Sequence, residues 1–246
     1  MVSKNYIEEI INKSIMKCVS GKQRFINNFL KRKSSFMEEQ ITEDSPEYKY
    51  RKGVFFGVLE MKQNSIQEKV TYSPTEFGSV NNYTAQEYKI INGRIGDNEI
   101  YRKKYKERRK GNPSLDDWID MRIENIDSAI DKSPRLTQDT ILYRYGEIPL
   151  DISEGGVGKW KGYTSTTYQE ATADRFKNGY DYDQPDRYKL KIYASEGTKG
   201  VLCNQQFEAI VEHEWLLPRN QRYQVLSVNH ETKEAEIVLL PPSNEY

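Results

Sequence analysis

The strongest constraint on the fold lies near the end of the chain, in residues 210–219, which read IVEHEWLLPR. Apolar residues cluster and alternate around Glu212 and Glu214, a pattern typical of a strand that enters a packed sheet, and Pro218 ends it. Side chains two residues apart in a strand lie on the same face, about 6.5–7 Å apart. The pattern therefore predicts paired carboxylates on one face and His213 on the opposite face.

A pair of carboxylates at the rim of a sheet has two interpretations. In an enzyme, the pair suits a reaction in which positive charge develops on a sugar carbon while a second group is deprotonated or oriented. In a structural protein, charged residues on an edge strand block its pairing with other chains. This one strand does not decide between the two interpretations, so the decision depends on other segments.

Two further segments favour the enzymatic interpretation. Residues 142–146, LYRYG, place Arg144 inside an apolar, aromatic strand, and residues 162–167, GYTSTT, place hydroxyl groups on another. In chain order the motifs are an arginine, an aromatic residue with Thr-Ser-Thr-Thr, and a Glu-x-Glu followed by Trp-Leu-Leu-Pro-Arg. This order and spacing resembles the mono-ADP-ribosyltransferases of the arginine-serine-glutamate class, which includes clostridial binary-toxin enzymes and phage-encoded transferases. The resemblance extends over roughly residues 80–240.

The resemblance implies both a fold and a reaction. The expected fold is α+β, with the split, mostly antiparallel β core of ADP-ribosyltransferases and helices on its N-terminal side. The expected reaction transfers ADP-ribose from NAD, the co-substrate, to an acceptor. Within the family, Glu-x-Glu usually goes with an arginine acceptor, so the Glu-His-Glu of this chain favours a protein arginine.

The resemblance assigns catalytic roles to Arg144, Ser165, Glu212 and Glu214. The planar guanidinium of Arg144 would hold the NAD pyrophosphate through paired hydrogen bonds, which lysine cannot reproduce. Glu214 would stabilise the positive charge that develops on the ribose, and Glu212 would contact the incoming nucleophile. The Ser165 hydroxyl would support the nicotinamide-ribose pocket and orient Glu214.

The predicted binding residues form a wider set than the catalytic four. For NAD they are Arg144, Tyr143, Ser165, Thr166, Tyr88 and Glu214. Thr167 stands where the family pattern has a second serine, and it keeps the hydroxyl. Residues 203–209 resemble the substrate-recognition loop of the family, in which Phe207 would be the exposed aromatic and would act with Glu212 on the acceptor.

Helices are predicted between the N-terminal region and the first motif. Thr84 is followed three residues later by Glu87, the capping-box pattern, so a helix is expected from Thr84 after a loop over residues 71–82. The resemblance places Tyr83 and Tyr88 near the adenine side of NAD. A second, core-facing helix is expected after Ser114.

A basic run supports an alternative acceptor. Residues 101–110, YRKKYKERRK, interleave cations with Tyr101 and Tyr105. Basic clusters with aromatic residues can follow a phosphate backbone and stack bases, which leaves transfer of ADP-ribose to RNA or DNA as the alternative to a protein arginine. A solvated helix face is the structural interpretation of the same run. A lesser alternative is an inactive binding module of the same fold, against which the acceptor-side Glu212 argues.

Composition excludes several other classes of protein. The 37 Lys and Arg balance the 37 Asp and Glu, so the net charge of the chain does not favour binding to nucleic acid or to a membrane. With two cysteines and two histidines, neither a zinc cluster nor a disulfide framework is expected, and no metal is predicted. No apolar run has the length of a signal peptide or membrane span, which predicts action in the cytoplasm or delivery into a host cytoplasm.

Two regions are predicted along the chain. In residues 1–45, apolar residues at helical spacing and an excess of lysine and arginine predict a basic helical arm. Residues 46–246 form the predicted catalytic domain. The resemblance suits a toxin or a phage-encoded effector, for which an inhibitor or antitoxin is a possible protein partner.

Overall fold

In the computed structural model, the described residues are 63, 66–147, 153–177, 187–203 and 213–241. Their helices are α1 Pro74–Asn82, a π-helix Tyr83–Glu87, α2 Tyr88–Ile95, α3 Glu99–Arg109, α4 Leu115–Lys132 and α5 Glu170–Arg175. Their strands are β1 Thr140–Glu147, β2 Val157–Trp160, β3 Thr164–Thr167, β4 Arg187–Ala194, β5 Val201–Cys203, β6 Glu214–Leu217, β7 Gln221–Asn229 and β8 Glu234–Leu239. The predicted arm, residues 1–45, lies outside the described residues.

The first described helix starts earlier than predicted. Ser73 Oγ accepts a hydrogen bond from the Glu76 backbone N at 3.2 Å, and a Glu76 carboxylate oxygen accepts one from the Ser73 backbone N at 2.7 Å. This capping box, with Pro74 in the first turn, begins α1. The predicted loop over residues 71–82 and the predicted helix start at Thr84 are therefore wrong, because Thr84 lies inside the π-helix.

The long helix predicted after Ser114 is confirmed. α4 runs over Leu115–Lys132, with Ser114 at the N-cap position. Its apolar stripe, which includes Ile119 and Ile126, packs with α1, α2 and the buried face of β6 in one hydrophobic cluster. The helices thereby form a layer that supports the strands bearing the motifs.

The eight described strands form one sheet in the order β2-β7-β8-β4-β1-β3-β6-β5. Neighbouring strands are antiparallel, except that β4 and β8 are parallel. The predicted α+β fold with a mostly antiparallel sheet is confirmed. β1 pairs with β4 over its full length but meets β3 at the single residue pair Tyr143 and Thr167. Beyond that pair, the sheet opens between β1 and β3.

β6 lies at the centre of the packing. Trp215 and Leu217 belong to the cluster that lines the sheet, whereas Leu216 belongs to the cluster shared with the helices. All four residues of β6 are buried. A strand covered on both faces needs a nearly continuous apolar run, which explains the sequence Trp-Leu-Leu.

The strand around the paired glutamates is shorter than predicted. β6 begins at Glu214, and His213 has a φ of 47°, in the left-handed region that histidine adopts more readily than most residues. His213 therefore does not lie in the strand on the face opposite Glu214, and the prediction of a continuous strand through Glu212 and Glu214 is wrong at this residue. The predicted end at Pro218 is confirmed, because β6 ends at Leu217.

Candidate active site

Arg144 lies on β1, at the point where the sheet opens. Its Nη1 donates a hydrogen bond to the backbone carbonyl of Ser165 on β3, at 2.8 Å. A Cβ atom at position 146 would lie 2.8 Å from Arg144 Nε. Glycine at 146 therefore leaves room for the arginine side chain to fold over the strand. The structure thus brings together two of the predicted site residues, Arg144 and Ser165.

The guanidinium of Arg144 has a free donor. Among the residues that the structure describes, none accepts a hydrogen bond from its buried Nε. A buried N–H without an acceptor is costly, and phosphate oxygens supply the planar pair of acceptors that a guanidinium prefers. The arrangement around Arg144 therefore fits an anionic phosphate group.

The hydroxyls of β3 have different surroundings. Thr166 is 3% exposed, and its Oγ1 donates to the Trp215 carbonyl at 2.6 Å, so this hydroxyl fixes β3 to β6. Thr167 Oγ1 accepts from the Gln169 backbone N at 3.1 Å, at the start of α5. Ser165, on the same face as Thr167, is half-buried. The strand thus has both structural and accessible hydroxyls.

Glu214 is the first residue of β6 and is 2% exposed. Its cross-strand neighbours are Thr167 on β3 and Cys203 on β5. Directly opposed residues of antiparallel strands point to the same face, so Thr167 connects Glu214 with Tyr143 in one row across the sheet. Because burying a carboxylate is costly, a glutamate in this position is a candidate functional group.

Arg144 and Glu214 both act electrostatically on Tyr83. Burial raises the pKa of Tyr83 well above its ordinary value, while the charge of Arg144 lowers that pKa and the charge of Glu214 raises it. The Tyr83 hydroxyl donates to the Tyr163 carbonyl at 2.9 Å. Tyr83, predicted beside the adenine, is thus a buried residue whose hydroxyl is influenced by the charges of both Arg144 and Glu214.

Two residues of this network, Asn92 and Tyr163, have no predicted role. Asn92 Nδ2 donates to the Tyr83 hydroxyl at 3.0 Å and to the Tyr163 carbonyl at 3.1 Å. A Cβ at Gly162 would lie 2.5 Å from Asn92 Oδ1, so the glycine permits the close approach. In the sequence, a polar residue directly after the apolar pair Ile90 and Ile91 could have indicated this role for Asn92. The structure shows that this position of α2 is buried.

The two remaining predicted tyrosines lie on different elements. Tyr143 on β1 is 4% exposed, and burial raises its pKa to about 12. Tyr88 begins α2 directly after the π-helix and is half-buried, with its ring centroid 6.5 Å from that of Tyr83. Tyr88 is the more exposed of the two, and it follows a π-helical turn, a form that occurs frequently at functional sites.

The surface of α3 does not have the features that its sequence suggested for binding bases. Tyr101 and Tyr105 are each 8% exposed and contact the helices. Their rings therefore cannot stack with bases, although the cations between them are mostly exposed. The basic run is a helix with a charged outer face and an aromatic inner face.

Several predictions concern residues or groups that the structure does not place. Glu212 and Phe207 lie outside the described residues. In the described part of the chain, no group of three or more His, Cys, Asp or Glu residues is arranged to hold a metal ion. No helix within the described ranges has the length and apolar character needed to cross a membrane.

Solved structures share this fold. The ADP-ribosyltransferase Vis from Vibrio splendidus, in complex with agmatine, is 15% identical, with a TM-score of 0.58 over 84% of this chain and 91% of that chain. The C3 exoenzyme of Clostridium limosum is 18% identical, with a TM-score of 0.52 over 76% of this chain and 95% of that one. The C. perfringens toxin BECa with NADH is 16% identical, with a TM-score of 0.54 over 82% of this chain and 50% of that one.

Sequence comparison gives the family. Curated protein sequences provide no significant match. The family model described as ADP-ribosyltransferase exoenzyme matches residues 59–240, which is most of the chain and includes all three motifs. The resemblance recognised in the sequence is thereby confirmed. The chain belongs to the ADP-ribosyltransferase exoenzyme family, whose members use NAD as the co-substrate for mono-ADP-ribosylation.

Proposed function

We propose that this enzyme transfers ADP-ribose from NAD to an arginine side chain of a protein, and that Arg144, Ser165, Glu212 and Glu214 form its catalytic site. The observation that supports the proposal is that Arg144 on β1 and Glu214 on β6 lie on the two strands that flank β3, beside the opening of the sheet. Arg144 is held on the Ser165 carbonyl, and the buried Glu214 lies across from Thr167 on the next strand.

Arg144 binds the pyrophosphate of NAD in this proposal. When bound, NAD supplies the ADP-ribose group and a nicotinamide that leaves without a general acid. The buried Nε of Arg144 and its remaining Nη donors provide charge-assisted hydrogen bonds to phosphate. In this proposal the binding site also includes Tyr143, Ser165, Thr166 and Tyr88, with Thr166 acting through its contact with β6.

Glu214 stabilises the positive charge that develops on the ribose. Its 2% exposure means that little water surrounds the carboxylate, and electrostatic interactions are stronger where water is excluded. Thr167 and Cys203 flank it on the neighbouring strands, so it is held by the sheet and not by a flexible loop. A group fixed in this way loses little free energy to reorganisation during the reaction.

Glu212 and Phe207 recognise the acceptor. The Glu-x-Glu pattern supports an arginine guanidinium, because a carboxylate offers it two parallel acceptors. The relative Vis has a structure with agmatine, a small molecule that also carries a guanidinium group. We therefore expect agmatine to substitute for the protein acceptor.

The acceptor is tested with labelled NAD. The purified protein is incubated with labelled NAD and either agmatine or cell lysate, and lysate samples are then treated with protease or with nuclease. The proposal predicts labelled agmatine and lysate label that protease removes. Label that only nuclease removes would overturn the arginine acceptor in favour of RNA or DNA.

A further inference from the structure

One carboxylate on α4 contacts the residues that flank two strands of the proposed site, β3 and β6. Asp127 accepts hydrogen bonds from Arg219 Nε at 2.9 Å and forms an ion pair with Arg219 Nη2 at 2.7 Å. Its Oδ1 also accepts a hydrogen bond from the Tyr163 hydroxyl, at 2.7 Å. Tyr163 directly precedes β3, and Arg219 follows β6 after Pro218. Asp127 therefore joins the adjacent ends of β3 and β6.

These two strands are short and need support for their register. β3 and β6 are antiparallel over four residue pairs, from Thr164 with Leu217 to Thr167 with Glu214. The Asp127 contacts lie at the Thr164 end, and Glu214 lies at the other. A slip of one residue would move every side chain of a strand to the opposite face. Contacts at one end of so short a pair therefore influence where Glu214 lies at the other.

Tyr163 extends the connection to α2 and the π-helix. Its backbone carbonyl accepts from Tyr83 and Asn92, and its backbone N donates to Asn92 Oδ1 at 3.2 Å. Burial raises the pKa of the Tyr163 hydroxyl far above neutrality, so it remains a donor at any working pH. Tyr163 is thus fixed through both its backbone and its side chain, two residues before the carbonyl that holds Arg144.

We propose that Asp127 is a positioning residue that sets the register of β3 against β6, and thereby the placement of Glu214 relative to Ser165 and Arg144. The inference rests on the proposed function, because it concerns the residues assigned there. Asp127 does not touch the substrates. It acts through Tyr163 and Arg219.

Because the ion pair between Asp127 and Arg219 is partly exposed, its effect on the position of catalytic groups can be distinguished from an effect on stability. The side chains of Arg219 and Asp127 are 42% and 32% exposed, and exposed ion pairs contribute little to the free energy of folding. A bidentate pair between arginine and carboxylate nevertheless fixes direction and distance. Misplacement of a catalytic group by about 1 Å can lower a rate about 100-fold. We therefore expect a larger effect on turnover than on stability.

Two variants and a matched control test the proposal. Asp127→Asn keeps the size of the side chain and removes its charge, and Arg219→Gln removes the guanidinium and shortens the side chain, so each variant weakens the contact. The control is Asp120→Asn, which removes a similar bidentate pair with Arg94 from the same helix, where the partner lies on α2 and not beside a strand. For both test variants we expect kcat of NAD consumption to fall about tenfold or more, with KM for NAD changed less than threefold. For Asp120→Asn we expect kcat within about twofold of the wild type.

Hydrogen exchange provides a readout that needs no substrate. In Asp127→Asn, the backbone amides of β3 and β6 are expected to exchange about tenfold faster, while those of β7 and β8 are unchanged. Equal kcat in Asp127→Asn and Asp120→Asn, or unchanged exchange in β3 and β6, would overturn the positioning role. Failure of the proposed function has a different signature, which is undiminished NAD consumption in Glu214→Gln.

Discussion

At the scale of single residues, the nature of the cation at position 144 determines how NAD is bound. Arg144 uses Nη1 to hold the Ser165 carbonyl, and no residue in the described part of the chain accepts a hydrogen bond from its Nε. Lysine keeps the charge but has one nitrogen, so Arg144→Lys cannot hold the carbonyl and a phosphate in the same way. We expect KM for NAD to rise about 10- to 100-fold, measured by steady-state NAD hydrolysis. Arg135→Lys, which alters an exposed contact with the Gly197 carbonyl, serves as the control; an unchanged KM in Arg144→Lys would contradict the assignment.

The glycine beside Arg144 makes a second residue-scale prediction. In Gly146→Ala the new methyl group would lie 2.8 Å from Arg144 Nε, so the flexible arginine must move away. We expect KM for NAD to rise about tenfold, with a melting temperature within a few degrees of the wild type. Gly111→Ala, where the methyl group meets no atom within 4 Å, is the matched control. Identical kinetics in the two variants would show that the room beside Arg144 is unimportant.

The identities of the proposed catalytic residues were accessible from sequence, because three motifs occur in a fixed order. The local geometry of these residues was not accessible from the sequence. His213 takes a left-handed conformation that ends the two-residue alternation, and Thr166 uses its hydroxyl to bind the carbonyl of Trp215. Both features depend on neighbouring strands that are distant in sequence. A pattern of residue types contains no information about such contacts.

At the scale of elements, the cap of α1 makes the protein sensitive to acid. Although burial alone would raise it, hydrogen bonds from Lys132, Ser128 and the Ser73 backbone lower the pKa of Glu76 to about 2, from an ordinary value of 4.5. A depressed carboxyl pKa contributes stability above the unfolded value, and this contribution is lost as pH falls from about 4.5 to about 2. Glu76→Gln should therefore lower the free energy of unfolding at neutral pH. Between pH values of about 4.5 and about 2, the free energy of unfolding of this variant should decline less steeply than that of the wild type. Urea denaturation at several pH values measures this free energy of unfolding. A decline with falling pH as steep as that of the wild type would show that Glu76 does not cause the acid sensitivity.

The position of α1 also shows why local patterns mispredicted an element. Both Ser73 with Glu76 and Thr84 with Glu87 fit the capping box. Glu76 additionally reaches Ser128 and Lys132 on α4, and these tertiary contacts stabilise the first box. The second box falls in a π-helix, a rare form that no residue pattern in the segment signals.

At the scale of the whole molecule, the sheet determines how the motifs meet. The α+β class could be predicted, since the motifs indicate strands and the earlier segments indicate helices. The strand order could not, because the parallel pairing of β4 with β8 and the single residue pair between β1 and β3 join segments distant in sequence. Because β1 and β3 pair at a single position, the sheet opens between them, and Arg144 lies at this opening. The site is thus a consequence of topology as well as of motifs.

The proposed reaction depends above all on Glu214, and a comparison of three forms of the protein measures its contribution. NAD consumption and transfer of ADP-ribose to agmatine are measured for the wild type, for Glu214→Gln and for Glu234→Gln, an exposed strand glutamate that accepts a hydrogen bond from Thr232. We expect Glu214→Gln to lower both rates about 100-fold or more and Glu234→Gln to retain them. If folded Glu214→Gln transferred ADP-ribose at the wild-type rate, Glu214 would not be the carboxylate that stabilises the ribose cation.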